Sequence, residues 1–159
     1  MKLVFPMTGS NRFLDGQYYY PKPIIDVAGK TMFENALEPL KDLPSLTVIA
    51  AISQRDVTEY NLDQVIKRAL GTLPSSVKVL SGETAGALCT TLLMSDQLGG
   101  DELIISNYDQ DLGFNVGAAL RFFRDENADF GVISFNSISF LIFGYLQTYT
   151  LKISGEKLV

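Results

Sequence analysis

The stretch LTVIAAI, residues 46–52, holds six apolar side chains, one hydroxyl and no charge. A strand wetted on one face alternates apolar with polar residues, whereas a strand covered on both faces reads as a continuous apolar run. This stretch therefore predicts a central strand of a parallel sheet. The flanking sequence agrees. Upstream, TMFENALEPLKDL (31–43) carries Met32, Phe33, Ala36, Leu37 and Leu40 on one helical face. Thr31 is placed to cap that helix and Glu34 to complete a capping box. Downstream, RDVTEYNLDQVIKRAL (55–70) predicts a second helix, with Val57, Tyr60, Val65, Ile66 and Ala69 roughly in register.

The same alternation runs along the chain. KLVFPM (2–7) predicts a first buried strand, and VKVL (77–80) another. ETAGALCTTLLMSDQL (83–98) predicts a helix with an inward stripe of Ala85, Leu88, Cys89, Leu92 and Leu93. DELIIS (101–106), FNVGAALRFFRDE (114–126) and ADFGVISF (128–135) predict a strand, a helix and a fifth strand. Five strands alternating with four helices place the chain in the α/β class, with a mostly parallel sheet and helices on both faces. In such sheets ligands bind outside the carboxyl ends of the strands.

The length of 159 residues suggests a single domain, 1–159, and 47% hydrophobic residues are enough for a core. A net charge of −5 disfavours broad contact with nucleic acid. It leaves room for a local positive pocket that takes a small anion. The absence of histidine excludes Ser–His and Cys–His catalysis and histidine metal sites. Cys89 is the only cysteine, which excludes an internal disulfide and a zinc cluster; it reads as a small buried side chain, suited to a reducing cytoplasm. MKLVFPMTGS is too short and too broken by Pro6 for a secretory signal. Phe130–Leu151 carries no charge and is long enough for a bilayer. Its hydroxyls, amides and β-forming side chains favour buried strands joined by a turn over a membrane span.

Four constellations fall where chemistry is expected. TGSNRF (8–13) follows the first strand; its backbone N–H groups and Arg12 suit an anion, although a plain turn with a surface arginine has the same letters. It matches neither a dinucleotide fingerprint nor a P-loop. Lys22 stands between Pro21 and Pro23, which restrict its backbone; the alternative is a solvated lysine in a polyproline-like loop. In SNYDQDL (106–112), Asp109 is the better candidate for a magnesium ligand and Asp111 the second; otherwise the segment is a polar turn. In LSGETAGAL (80–88), Gly82 and Gly86 flank a helix start that Thr84 could cap, and small residues there let a ring or ribose approach.

In order, KLVFPMTGSNRF, YPKPIIDVAGKTMFENAL, SGETAGAL and ELIISNYDQDL resemble the sugar-phosphate nucleotidyltransferases, the NDP-sugar pyrophosphorylases. The resemblance runs from Met1 to about Val132 and is most specific at the Pro-Lys-Pro string. It implies a three-layer Rossmann-like fold of the GT-A and nucleotidyltransferase type. It implies that Thr8, Gly9, Ser10 and Asn11 cradle the nucleotide phosphates. Arg12 and Lys22 would be the catalytic cations, Glu83, Thr84 and Gly86 would lie near the base or ribose, and Asp109 would hold Mg²⁺. The implied reaction joins an NTP to a sugar phosphate with release of pyrophosphate. The implied partners are those two substrates, without nucleic acid or membrane. TGSNRF lacks the family's second glycine. The family also continues further, to a second metal-binding aspartate and much of the sugar pocket, so this chain is expected to be an N-terminal part.

Two other readings stay open. Asp109-Gln110-Asp111 has the DxD form of a nucleotide-sugar-dependent glycosyltransferase. A non-catalytic protein that binds a nucleotide sugar would use the same pocket without turnover. Phe140, Leu141, Ile142 and Phe143 would suit a contact between protomers of a homo-oligomer.

Overall fold

Residues Lys2–Met7 form strand β1, and every side chain from Leu3 to Met7 is buried. Successive side chains of a strand point to opposite faces, so both faces of β1 are covered. Thr47–Ser53 form β4 with the same property: Val48 to Ile52 are at most 1% exposed. These facts come from a computed structural model, which describes residues 1–9, 20–110, 112–136 and 148–153.

β1 pairs in parallel with β4, Lys2 opposite Thr47 and Met7 opposite Ile52. Ser75–Leu80 (β5) runs parallel on the far side of β4, and Leu103–Ile105 (β6) on the far side of β1. The resulting order β5-β4-β1-β6 puts the two continuous apolar strands in the middle. The flanking strands are less covered: Val79, Leu103 and Ile105 are all exposed.

Between β1 and β4 the chain makes a two-stranded ribbon, β2 (Asp26–Val27) against β3 (Lys30–Thr31). Its two central residues, Ala28 at φ 56° and Gly29 at φ 84°, both lie in the left-handed region, as a tight hairpin turn requires. Helix α1 (Met32–Leu37) starts at once, with the expected capping box: Thr31 Oγ1 accepts from Glu34 N at 3.2 Å, and Glu34 Oε2 accepts from Thr31 N at 2.7 Å. Regular helix ends sooner than expected, and Pro39 has no N–H with which to continue the ladder. Phe33 meets Phe5 edge to face with ring centres 5.1 Å apart, which seats α1 on β1.

The helix expected over 55–70 is two helices, α2 (Gln54–Tyr60) and α3 (Leu62–Leu70), separated by Asn61 at φ 52°. The break lets Leu62, Ile66 and Leu70 go to the core while the face of α2 stays wetter. The helix expected over 83–98 is also divided, into α4 (Ala87–Leu92) and α5 (Ser95–Leu98). Its inward stripe is corrected. Leu88, Leu92 and Leu93 are 67%, 61% and 53% exposed, and Ala85 and Cys89 are exposed too. Thr90, Thr91 and Met94 are buried instead. The threonines tolerate this because each bonds back to a helix carbonyl, Thr90 to Gly86 O and Thr91 to Ala87 O.

The chain divides into two units, Met1–Asp111 and Leu112–Val159. In the second, α6 (Val116–Asp125) is capped by Asn115, whose side chain accepts from Ala118 N at 2.9 Å. The strand expected as the fifth of the parallel sheet, β7 (Gly131–Asn136), pairs antiparallel with β8 (Thr148–Ile153), Gly131 opposite Ile153. The charge-free segment thus contributes strands, and among the described residues no helix is long and apolar enough to cross a membrane. Phe140, Leu141, Ile142 and Phe143 lie outside the described residues.

The capping box is testable. Hydrogen bonds from the Thr31 amide and hydroxyl hold the Glu34 carboxyl below its usual 4.5. A lowered folded-state value gives stability that is present above the unfolded value and lost as pH falls through the folded one. Thr31→Ala should cost about 1 kcal/mol in urea unfolding near neutrality. The difference from wild type should narrow as the pH falls below 4.5 and the Glu34 contribution fades.

Candidate functional site

Three adjacent parallel strands deliver their carboxyl ends to one cleft of about 150 Å³. Thr8 and Gly9 follow β1, Ser53 to Asp56 join β4 to α2, and Leu80 to Glu83 leave β5. This is where an open parallel sheet exposes strand-end loops. Of these, Thr8, Gly9, Gly82 and Glu83 are singled out from sequence, and Leu80 and Ser81 open the same LSGETAGAL stretch. Ser53, Gln54, Arg55 and Asp56 are not, because they belong to an ordinary helix entry. Ser53 caps α2, its hydroxyl accepting from Asp56 N at 3.1 Å. Burial raises the Asp56 carboxyl above its usual 3.8, with a hydrogen bond from Ser53 working the other way.

A hydroxyl cluster ties this cleft together. Thr8 Oγ1 lies 3.2 Å from Thr84 Oγ1 and 3.0 Å from Thr90 Oγ1, and Thr84 and Thr90 are 2.5 Å apart. Thr84 does not cap the following helix as its position suggests: its hydroxyl donates to Gly86 O at 3.3 Å, and Gly86 itself is the N-cap residue. At Gly86 a Cβ would meet nothing within 4 Å, yet φ is +123°, so the backbone conformation and not crowding calls for glycine.

The proline frame is more specific than a polyproline loop. Pro21 is extended, and Lys22–Ile24 then form a turn of 3-10 helix, with Ile24 N donating to Pro21 O and Ile25 N to Lys22 O, both at 3.1 Å. Pro21 and Pro23 are buried while Lys22 between them is partly exposed. The two rings anchor the turn and leave the lysine to reach outward. It reaches Asp109: Lys22 Nζ donates to Asp109 Oδ2 at 3.4 Å, across 87 residues of sequence. Ion pairs this exposed contribute about 0.2–1 kcal/mol, so the pair matters for where it puts its charges and little for stability. Asp109 follows β6, the neighbour of β1. Beside it, Tyr108 is largely buried, and its phenol feels the charges of Asp109 and Asp56.

Arg12, Ser10, Asn11 and Asp111 lie outside the described residues. Among the described residues no three acidic, histidine or cysteine side chains converge as a metal cage. Asp109 by itself suits Mg²⁺ only in the manner that ion favours, with one or two carboxylates and the rest of the shell from water and substrate phosphates.

No protein-family model and no curated protein matches the sequence. Solved structures do match. A nucleoside-diphosphate-sugar pyrophosphorylase from Vibrio cholerae RC9 is 22% identical over 75% of this chain and 52% of its own, at a TM-score of 0.56. A UDP-glucose pyrophosphorylase complexed with UDP-glucose is 14% identical over 87% of this chain and 58% of its own, at 0.62. HddC from Yersinia pseudotuberculosis is 18% identical over 97% of this chain and 74% of its own, at 0.60. At these identities the likeness establishes the fold alone, a Rossmann-like α/β sheet that this chain shares with those structures. The chain spans little more than half the length of the first two structures.

Tyr108 offers a test of this geometry. Burial first, then the charges of Asp109 and Asp56, push its phenol from 10.0 up to about 12. Between those values the unfolded chain has released a proton that the folded chain still holds, so stability falls as pH rises. Tyr108→Phe should flatten that part of the stability curve, and the tyrosinate absorbance that rises near pH 12 in the folded protein should shrink by one tyrosine.

Proposed function

We propose that this chain is the nucleotide-binding part of a sugar-phosphate nucleotidyltransferase. In the proposed reaction a phosphate oxygen of a sugar 1-phosphate attacks the α-phosphorus of an NTP. The new oxygen–phosphorus bond forms as the bond from the α-phosphorus to the bridging oxygen breaks, and pyrophosphate leaves with that electron pair. The nucleophile arrives ionised, so no protein base is needed. This agrees with a chain that has no histidine. What remains for the protein is positioning and charge neutralisation.

The observation that carries the reading is the meeting of Lys22 with Asp109 beyond the carboxyl ends of β1 and β6. A lysine on an anchored turn is suited to hold the charge that develops on the α-phosphate and the leaving pyrophosphate. Asp109, with phosphate oxygens of the nucleotide, would hold Mg²⁺, which when bound neutralises phosphate charge. Arg12 would add a second cation. The cleft bordered by Thr8, Gly9 and Ser81 to Glu83 would take the base and ribose, Glu83, Thr84 and Gly86 forming one side and the backbone of Thr8 to Asn11 the phosphate side. The fold shared with pyrophosphorylases supports this reading.

Nucleotide binding without turnover is the second reading. It draws support from the described residues, among which no three acidic, histidine or cysteine side chains gather as a metal cage. One experiment separates the two: calorimetry with NTP and magnesium alongside pyrophosphate release from NTP plus sugar 1-phosphate. Binding together with release is expected, and binding with no release for any sugar phosphate would replace turnover by binding alone. Lys22→Met should lower pyrophosphate release at least ~10²-fold, in the range seen when one charge-stabilising donor is lost. Asp109→Asn should weaken magnesium binding, its activity requiring more metal than wild type.

A further inference from the structure

Thr90 is 2% exposed and sits inside α4, out of reach of any ligand in the cleft. A threonine there has a simple way to be satisfied, which its neighbour displays. Thr91 is 3% exposed, and its hydroxyl donates to Ala87 O at 2.9 Å, one turn back. Thr90 makes the equivalent bond to Gly86 O at 3.1 Å. It then goes further. Its Oγ1 also lies 3.0 Å from Thr8 Oγ1 and 2.5 Å from Thr84 Oγ1.

Those partners belong to different walls of the cleft. Thr8 closes β1 and, with Gly9, borders the cleft on one side. Thr84 follows directly on Ser81, Gly82 and Glu83, which border it on another. These two segments are 76 residues apart in sequence and meet through hydroxyls at Thr8 and Thr84. The Thr90 hydroxyl touches both, and it also touches the carbonyl of Gly86, whose φ of +123° sets the bend of the second wall. Three hydroxyl protons serve this group, fewer than its contacts with one another and with the accepting Gly86 O, so the hydroxyls share their protons among these contacts. A buried, uncharged cluster of this kind holds two backbones at a fixed separation and stays neutral beside a polyanion.

We infer that Thr90 is a positioning residue for the nucleotide cradle: from inside the helix it clips the loop after β1 to the loop after β5, setting the width of the gap between them. The inference rests on the proposed nucleotide-binding role of the cleft. It assigns no direct contact with substrate to Thr90.

The test compares wild type with Thr90→Val, Thr90→Ser and Thr91→Val, with Thr90→Ala in reserve should the valine variant not fold. Calorimetry with each of the four ribonucleoside triphosphates and dTTP, in magnesium, reads affinity. Amide hydrogen exchange without nucleotide reads the two loops. Removing the Thr90 hydroxyl forfeits roughly one buried hydrogen bond, which corresponds to about tenfold in affinity. Thr90→Val should therefore bind its preferred triphosphate about tenfold more weakly and exchange faster at residues 8–9 and 81–88 together. Thr90→Ser should restore both, and Thr91→Val should match wild type in both. Wild-type affinity in Thr90→Val, or an equal loss in Thr91→Val, overturns the inference while leaving the nucleotide reading intact. Failure of wild type to bind any of the triphosphates overturns that reading, and this inference with it.

Discussion

The burial of β1 and β4 on both faces is the constraint from which the rest follows. Two adjacent strands with no wet face belong to a sheet covered on both sides, and here they pair in parallel, as sheets with helical crossovers on both faces do. A parallel arrangement sends all carboxyl ends in one direction. Thr8, Ser53 and Leu80 therefore emerge side by side although they are widely separated in sequence. Asp109, leaving β6 beside β1, comes to the same end of the sheet. The site is a consequence of strand direction before it is a matter of particular side chains.

That consequence was legible because continuous apolar runs are hard to imitate. LTVIAAI and KLVFPM could not be amphipathic strands, and both occupy the centre. The Thr31 and Glu34 box was legible for a similar reason, since it depends on residues three apart that interact within one turn. Lys22 and Asp109 were singled out from separate loops, and their meeting needed the three-dimensional fold. ADFGVISF was misread as a buried parallel strand because an apolar run carries no mark of its partner's direction, and Val132 in it is 55% exposed. Its partner, TYTLKI at 148–153, overlaps the charge-free segment expected to form strands joined by a turn, and that expectation named no pairing.

The error in 83–98 is more instructive. A stripe of leucines argued for an inward face, and apolar periodicity normally decides such a question. Here Thr90 and Thr91 took the buried side and the leucines stayed exposed. Periodicity weighs threonine as polar, but a helical threonine that bonds to its own preceding turn presents mainly a methyl group to its surroundings. The break after α4 then removes the regular spacing on which the stripe depended. Local satisfaction of two hydroxyls outweighed a pattern that assumed one uninterrupted helix.

The same economy explains the lysine between prolines. A side chain that must meet a phosphate has to be exposed, and exposure ordinarily means freedom. Burying Pro21 and Pro23 on either side of Lys22 separates the two properties: the backbone is fixed by apolar contacts while the ammonium stays in reach of solvent. The first turn bond, from Ile24 N to Pro21 O, begins where Pro21 has already set the entry angle. Asp109 then orients the free end, at an energetic cost so small that an arriving anion or cation can exchange for either partner. A strong, buried pair in this place would hold the fold and refuse the ligand. The weak, half-exposed pair at 3.4 Å keeps both charges available, which suits the charge neutralisation proposed for this site.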